Sequence, residues 1–81
     1  MSTTITKEQV EKIVHSALES FGAEPSAFAP DTTFEALDID SLDLAELSQI
    51  IDEEFGVVLK GEDMKRIRTL GDAVTTILER A

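Results

Sequence analysis

The residues best suited to do chemistry lie in the stretch DIDSLDLAEL, residues 38–47, where a serine stands between two acids. Asp40 precedes Ser41 and Asp43 follows it, at the point where an apolar pattern with helical spacing begins. The first turn of a helix has unpaired N–H groups and the positive end of the helix dipole, so it favours a phosphate group. Ser41 could therefore be an attachment point for a phosphodiester. For the tripeptide DSL alone, a plain helix start is the simpler interpretation.

Two other kinds of site fit this stretch poorly. A serine hydrolase needs a base within hydrogen-bond reach of the hydroxyl, but the only histidine, His15, is 26 residues away, on a helix face predicted to be in solvent. An EF-hand calcium loop would need Gly where Asp43 stands and an oxygen ligand where Leu42 stands. We therefore expect neither serine hydrolysis nor a defined metal site, and we assign no role to His15.

The composition restricts the class of partner. The 81 residues include no cysteine and carry a net charge of −10, so any thiol chemistry must come from a cofactor. No Lys or Arg occurs between Lys12 and Lys60, whereas eleven Asp and Glu residues do. Such a surface repels nucleic acid and anionic lipid headgroups and attracts basic protein patches. No apolar run is long enough to cross a membrane, and we expect a soluble cytoplasmic monomer that forms one domain over residues 1–81.

Two helices and a loop between them are predicted in the first half of the chain. A first helix over 7–20 begins with a capping box from Thr6 to Gln9 and stops near Gly22. A long loop over 23–39 follows. The apolar positions expected to hold these segments in the core are Val10, Ile13, Val14, Ala17, Leu18, Phe21, Phe28, Phe34 and Leu37.

The second helix should run over 41–55, with Asp40 as N-cap and Gly56 as terminator. Its predicted core side consists of Leu44, Leu47, Ile51 and Phe55, with Ser48 at the edge. The opposite side holds Leu42, Glu46, Gln49 and Glu53, flanked by Ile50 and Glu54. Leu42 and Ile50 are therefore expected to be exposed apolar points beside acids.

The last part of the chain predicts a short helix near 61–67, with Met64 and Ile67 on one side, and a final helix over 70–80 opened by Thr69 and Asp72. The core stripe of that final helix is Leu70, Ala73, Val74, Ile77 and Leu78. No β-hairpin is expected around GVVL, since it has no partner strand. The predicted fold is all-α, a four-helix bundle with three longer helices, one short helix and a long first loop.

The stretch LDIDSLDLAELSQIIDEEFGVVL resembles the acyl carrier protein family, and the likeness extends over nearly the whole chain. The resemblance implies a 4′-phosphopantetheine arm on Ser41, with Asp40 and Leu42 beside it, Asp40 assisting the modifying transferase. It implies a partner-facing surface made of Asp43, Glu46, Gln49, Ile50, Glu53 and Glu54. The implied partners are a phosphopantetheinyl transferase and a ketosynthase, acyltransferase or other synthase enzyme with a basic docking patch. The implied function is to shuttle acyl thioesters in fatty-acid or polyketide biosynthesis, as a carrier with no catalytic activity of its own.

Two positions depart from the family pattern. Many relatives have Gly where Asp38 stands, so a turn with positive φ is either tolerated by Asp or shaped differently here. Ser48 and Gln49 replace an apolar pair that is common in fatty-acid carriers, so a carrier of a secondary-metabolite pathway fits the sequence equally well. A peptidyl or D-alanyl carrier and an unmodified acidic helical adaptor, in which Ser41 only begins the helix, are two further hypotheses.

Overall fold

The computed structural model describes residues 5–81 of the chain, so residues 1–4 of the predicted 1–81 unit lie outside it. Within the described part the fold is all-α, as predicted, with three longer helices and one short one. The helices are α1 (Lys7–Ser20), α2 (Ser41–Phe55), α3 (Gly61–Arg66) and α4 (Leu70–Arg80). The helix α3 ends one residue earlier than expected, because Ile67 is its extended C-cap.

Reciprocal side-chain hydrogen bonds start the helices. The predicted capping boxes of α1, from Thr6 to Gln9, and of α4, from Thr69 to Asp72, are both present. A Pro25–Ala27 turn of 3-10 helix, which the sequence pattern did not predict, lies in the long loop. Each capping box satisfies N–H groups that a helix start otherwise leaves unpaired.

The core lies between α1 and the two helices that pack against it, α2 and α4. The predicted stripes of α1 and α4 supply most of its buried side chains. On α2, Leu47 and Ile51 are buried, whereas Leu44 and Phe55 are half-buried at its border. The inner side of α2 is thus the predicted one, and its opposite side stays in solvent.

Backbone hydrogen bonds tie the long loop to the connection between α3 and α4. The N–H of Phe34 donates to the Arg68 carbonyl (3.0 Å), and the N–H of Gly71 donates to the Pro30 carbonyl (2.8 Å). A Cβ at position 71 would lie 2.9 Å from the Pro30 oxygen, so this close approach requires glycine. One isolated bridge pairs Thr33 with Thr69, and no strand forms within residues 5–81, in agreement with the all-α prediction.

Two predicted exposures are wrong. His15 is half-buried, with its ring centroid 5.0 Å from that of Phe28, because the loop folds back over the side of α1 that the helical pattern assigned to solvent. Ile50 is also half-buried and packs against the core. Leu42, by contrast, is 78% exposed, as expected. No helix within residues 5–81 has the length and apolarity needed to cross a membrane.

Candidate functional site at the start of α2

Ser41 is the first residue of α2, and its side chain is exposed. The residue before it, Asp40, is the N-cap: its Oδ1 accepts a hydrogen bond from the N–H of Asp43 (2.9 Å). The Asp43 carboxylate in turn accepts from the N–H of Asp40 (3.4 Å). This reciprocal cap fixes the start of the helix without using the serine hydroxyl, for which residues 5–81 provide no hydrogen-bond partner.

The chain reaches the start of α2 through Asp38, whose backbone is in the left-handed conformation. Asp38 has a φ of 59°, so the turn with positive φ forms here with Asp in place of Gly. Asp is one of the few L-residues that adopt this conformation readily. The next residue, Ile39, is 7% exposed, and its N–H donates to the Phe34 carbonyl (2.9 Å). The chain therefore passes from a buried anchor to an exposed serine within two residues.

An open cleft lies beside the N-cap. Its apolar lining comes from Phe34, Ile39, Leu44 and Ile67. Its polar lining is Thr33, Glu35, Asp38, Asp40 and Arg68. Sequence reasoning missed this cleft, since its walls come from the loop, from α2 and from the residues that follow α3, and no local pattern signals that they meet.

The predicted partner surface divides into two groups. Glu46, Gln49, Glu53 and Glu54 are exposed together with Leu42. Asp43 and Ile50 are half-buried, and the carboxylate of Asp43 is used in the cap of α2. The two ion pairs found within residues 5–81 lie elsewhere, so no protein cation compensates the exposed acids of α2 at short range. These acids keep an unneutralised field near Ser41.

One charged pair was not foreseen at all. Asp63 of α3 is buried and contacts Arg80 at the end of α4. The hydrogen bond from Arg80 lowers the pKa of Asp63 below its usual range, and the N–H of Lys60 lowers it further, while burial opposes both. The same contact raises the pKa of Arg80. The two residues are 17 positions apart, which no helical periodicity connects.

Comparison with known proteins agrees with this geometry. Residues 9–77 match the family described as phosphopantetheine attachment site. The chain belongs to this family. It is also similar to meromycolate extension acyl carrier proteins, with 36% identity over 75 residues to the protein of Mycobacterium leprae (strain TN) and 35% to that of Mycobacterium bovis (strain ATCC BAA-935 / AF2122/97). Each alignment covers 90% of this chain and 65% of the relative, so the chain spans less than two thirds of these relatives.

The residues at the start of α2 fit the cofactor of acyl carrier proteins, 4′-phosphopantetheine. Ser41 offers an exposed hydroxyl with no protein partner among the described residues. The helix start next to it favours the negative charge of a phosphodiester. When bound, the arm supplies the thiol that this cysteine-free chain lacks.

Proposed function

We propose that this chain carries acyl intermediates as thioesters on a 4′-phosphopantetheine arm attached to Ser41, and that it shuttles them between enzymes of fatty-acid or polyketide biosynthesis. The observation that carries the proposal is the placement of Ser41. It is exposed at the first position of α2, its neighbours Asp40 and Asp43 cap the helix in its stead, and it lies inside the segment matched by the attachment-site family.

The proposed work of the chain itself is to present the serine and to be recognised. Asp40 holds the start of α2, so the hydroxyl has a defined position. The exposed acids Glu46 and Glu53 attract a basic patch on the partner, and exposed Leu42 adds a small apolar contact. An interface of this kind supports fast association and ready release, which a shuttle needs. The proposed partners are a phosphopantetheinyl transferase and synthase enzymes such as a ketosynthase or acyltransferase.

Intact-mass spectrometry tests the attachment. The chain is incubated with CoA, Mg²⁺ and a broad-specificity phosphopantetheinyl transferase, and the wild type should gain the mass of one phosphopantetheine. Ser41→Ala should fold and remain unmodified. Ser48→Ala is the matched control, because it removes a hydroxyl from the same helix and should be modified like the wild type.

The outcomes separate the candidate functions. A wild type that stays unmodified would favour the unmodified acidic adaptor, and modification that persists in Ser41→Ala would place the arm on another residue. The class of cargo is tested by identifying the acyl group on protein purified from its native host. The name of the mycobacterial relatives, meromycolate extension acyl carrier protein, favours an acyl cargo, whereas an aminoacyl group would favour a peptidyl or D-alanyl carrier.

A further inference from the structure

Asp63 is the only charged side chain among residues 5–81 that is fully buried. It is the third residue of α3, and both of its carboxylate oxygens are used. Oδ2 accepts a hydrogen bond from the N–H of Lys60 (3.1 Å). Oδ1 accepts from Nη2 (2.7 Å) and from Nε (3.1 Å) of Arg80, the last residue of α4. A single buried oxygen therefore joins the short helix to the far end of the last one.

Few side chains hold α3 in place. It is six residues long, far too short to be stable alone. Asp63 is its one buried residue, and half-buried Met64 packs against the core. A second ion pair between the same two helices, Arg66 with Glu79, has a distance of 3.5 Å and side chains that are 59% and 52% exposed. Exposed pairs of this kind contribute little to stability. The attachment of α3 thus depends on the buried contact of Asp63 and on the partial burial of Met64.

The segment is bounded on each side by a residue that belongs to the core. Val57 is buried before α3, and Ile67 is buried directly after it. The Arg68 carbonyl is in addition fixed by the N–H of Phe34 (3.0 Å). The contacts among α1, α2 and α4 do not pass through α3, so this segment can separate while the rest of the core stays packed.

We propose that the contact between Asp63 and Arg80 is a latch that keeps α3 closed, and that its loss releases residues 58–66 locally while α1, α2 and α4 remain folded. The physical reason is the cost of a buried charge without a partner. Once Arg80 is removed, an ionised Asp63 lowers its free energy by moving into water, and the helix that carries it must move with it. The latch adjoins the cleft beside Asp40, because Ile67 both follows the released segment directly and lines the cleft.

Amide hydrogen exchange followed by NMR tests the latch on the chain without any arm, so the result is independent of the proposed carrier function. In Arg80→Gln the α3 amides, such as that of Met64, should exchange about tenfold faster or more, because local opening becomes more frequent. Amides around Val14 in α1 should change by less than about twofold. The matched control is Arg66→Gln, which breaks the exposed pair between the same two helices and should leave α3 protected.

A double variant separates charge from packing. Asp63→Asn together with Arg80→Gln keeps an acceptor for the N–H of Lys60 but removes the buried charge, so it should exchange more slowly in α3 than Arg80→Gln alone. Equal exchange in the single and double variants would overturn the proposal, as would a uniform acceleration in all helices or no acceleration in Arg80→Gln. Selective acceleration in α3 that the double variant reverses is the result expected.

Discussion

Acidic side chains occupy two contrasting environments in this molecule. On the outer side of α2, Glu46 and Glu53 are exposed, and no protein cation pairs with them among the described residues. Between α3 and α4, the carboxylate of Asp63 is buried and accepts hydrogen bonds from Arg80 and from the backbone. In the first region a carboxylate is thus free to interact with a partner protein. In the second it is hydrogen-bonded within the chain.

The difference shows how surroundings decide the role of a charge. An unpaired acid in water contributes little to folding, but its field reaches about 8–10 Å at physiological salt and can guide a basic partner. The charge of buried Asp63 is compensated by Arg80, so it leaves little net field for a partner, and its energy depends on one contact of defined geometry. The outer side of α2 is therefore expected to affect association, and the α3–α4 contact is expected to affect local stability.

The largest expected effect is on the free energy of unfolding, and it should differ between the buried and the exposed side of α2. Leu47 is 3% exposed in the core, so Leu47→Ala should lower the free energy of unfolding by about 2–5 kcal/mol through the cavity it leaves. Leu42→Ala is the matched control, because the same atoms are removed from a side chain that is 78% exposed, and it should cost no more than about 0.5 kcal/mol. Urea unfolding of both variants measures this. Equal losses would mean that the outer side also supports the fold.

Acid should break the contact between α3 and α4. Arg80 lowers the pKa of Asp63 in the folded state, so the stability that this carboxylate contributes is present above its unfolded pKa and is lost as pH falls through the folded one. The protection of the α3 amides against hydrogen exchange, followed by NMR, should therefore persist in mild acid and be lost only below the usual carboxyl range. In Asp63→Asn this transition should be absent.

Neighbouring charges add to the effect of the Arg80 hydrogen bond on the pKa of Asp63. Arg66 lowers the pKa of Asp63, as Arg80 does. Glu62 and Glu79 raise the pKa of Arg80. Glu62→Gln is a control that removes a carboxyl group near the contact but leaves the contact itself. A transition that persists in Asp63→Asn, or that disappears in Glu62→Gln, would assign the acid response to another group.

Charge reversal on α2 should slow association. Glu46→Lys with Glu53→Lys should reduce the association rate with a phosphopantetheinyl transferase about tenfold at low salt, and less at high salt, while the helical circular dichroism stays nearly unchanged. Surface plasmon resonance at two ionic strengths measures the rates.

Two acids outside α2 provide the matched control for this reversal. Glu19→Lys with Glu24→Lys makes the same change in net charge at exposed positions outside α2. If this pair slows association equally, net charge alone explains the effect. If neither pair does, the docking surface lies elsewhere, and the region of Met64 and Ile67 is the next to test.

Salt should have the smallest effect. Because the eleven acids between Lys12 and Lys60 repel one another in the compact state, moderate NaCl should raise the melting temperature by a few degrees through screening. The double reversal at Glu46 and Glu53 should show a smaller rise. A flat or falling trend in a thermal scan would mean that the acids are too dispersed to matter.

Local sequence patterns determined the helices and the start of α2. Helix bounds and caps depend on residues three or four positions apart, so Thr6 with Gln9 and Thr69 with Asp72 could be read directly from the chain. The same reasoning put Ser41 at the first position of α2, with Asp40 as the N-cap. The positive φ at Asp38 does not follow from local pattern alone, since Asp can adopt it or avoid it.

Only the tertiary structure decided what covers each helix face. The burial of His15 depends on Phe28, 13 residues further along a loop whose path no periodicity predicts. The cleft beside Asp40 needs Phe34 and Ile67 to meet, and the α3 latch needs Arg80 to reach Asp63 across a turn between helices. Helical spacing is imposed by backbone hydrogen bonds within a few residues, whereas these contacts form only once the packing of α1, α2 and α4 has brought distant segments together.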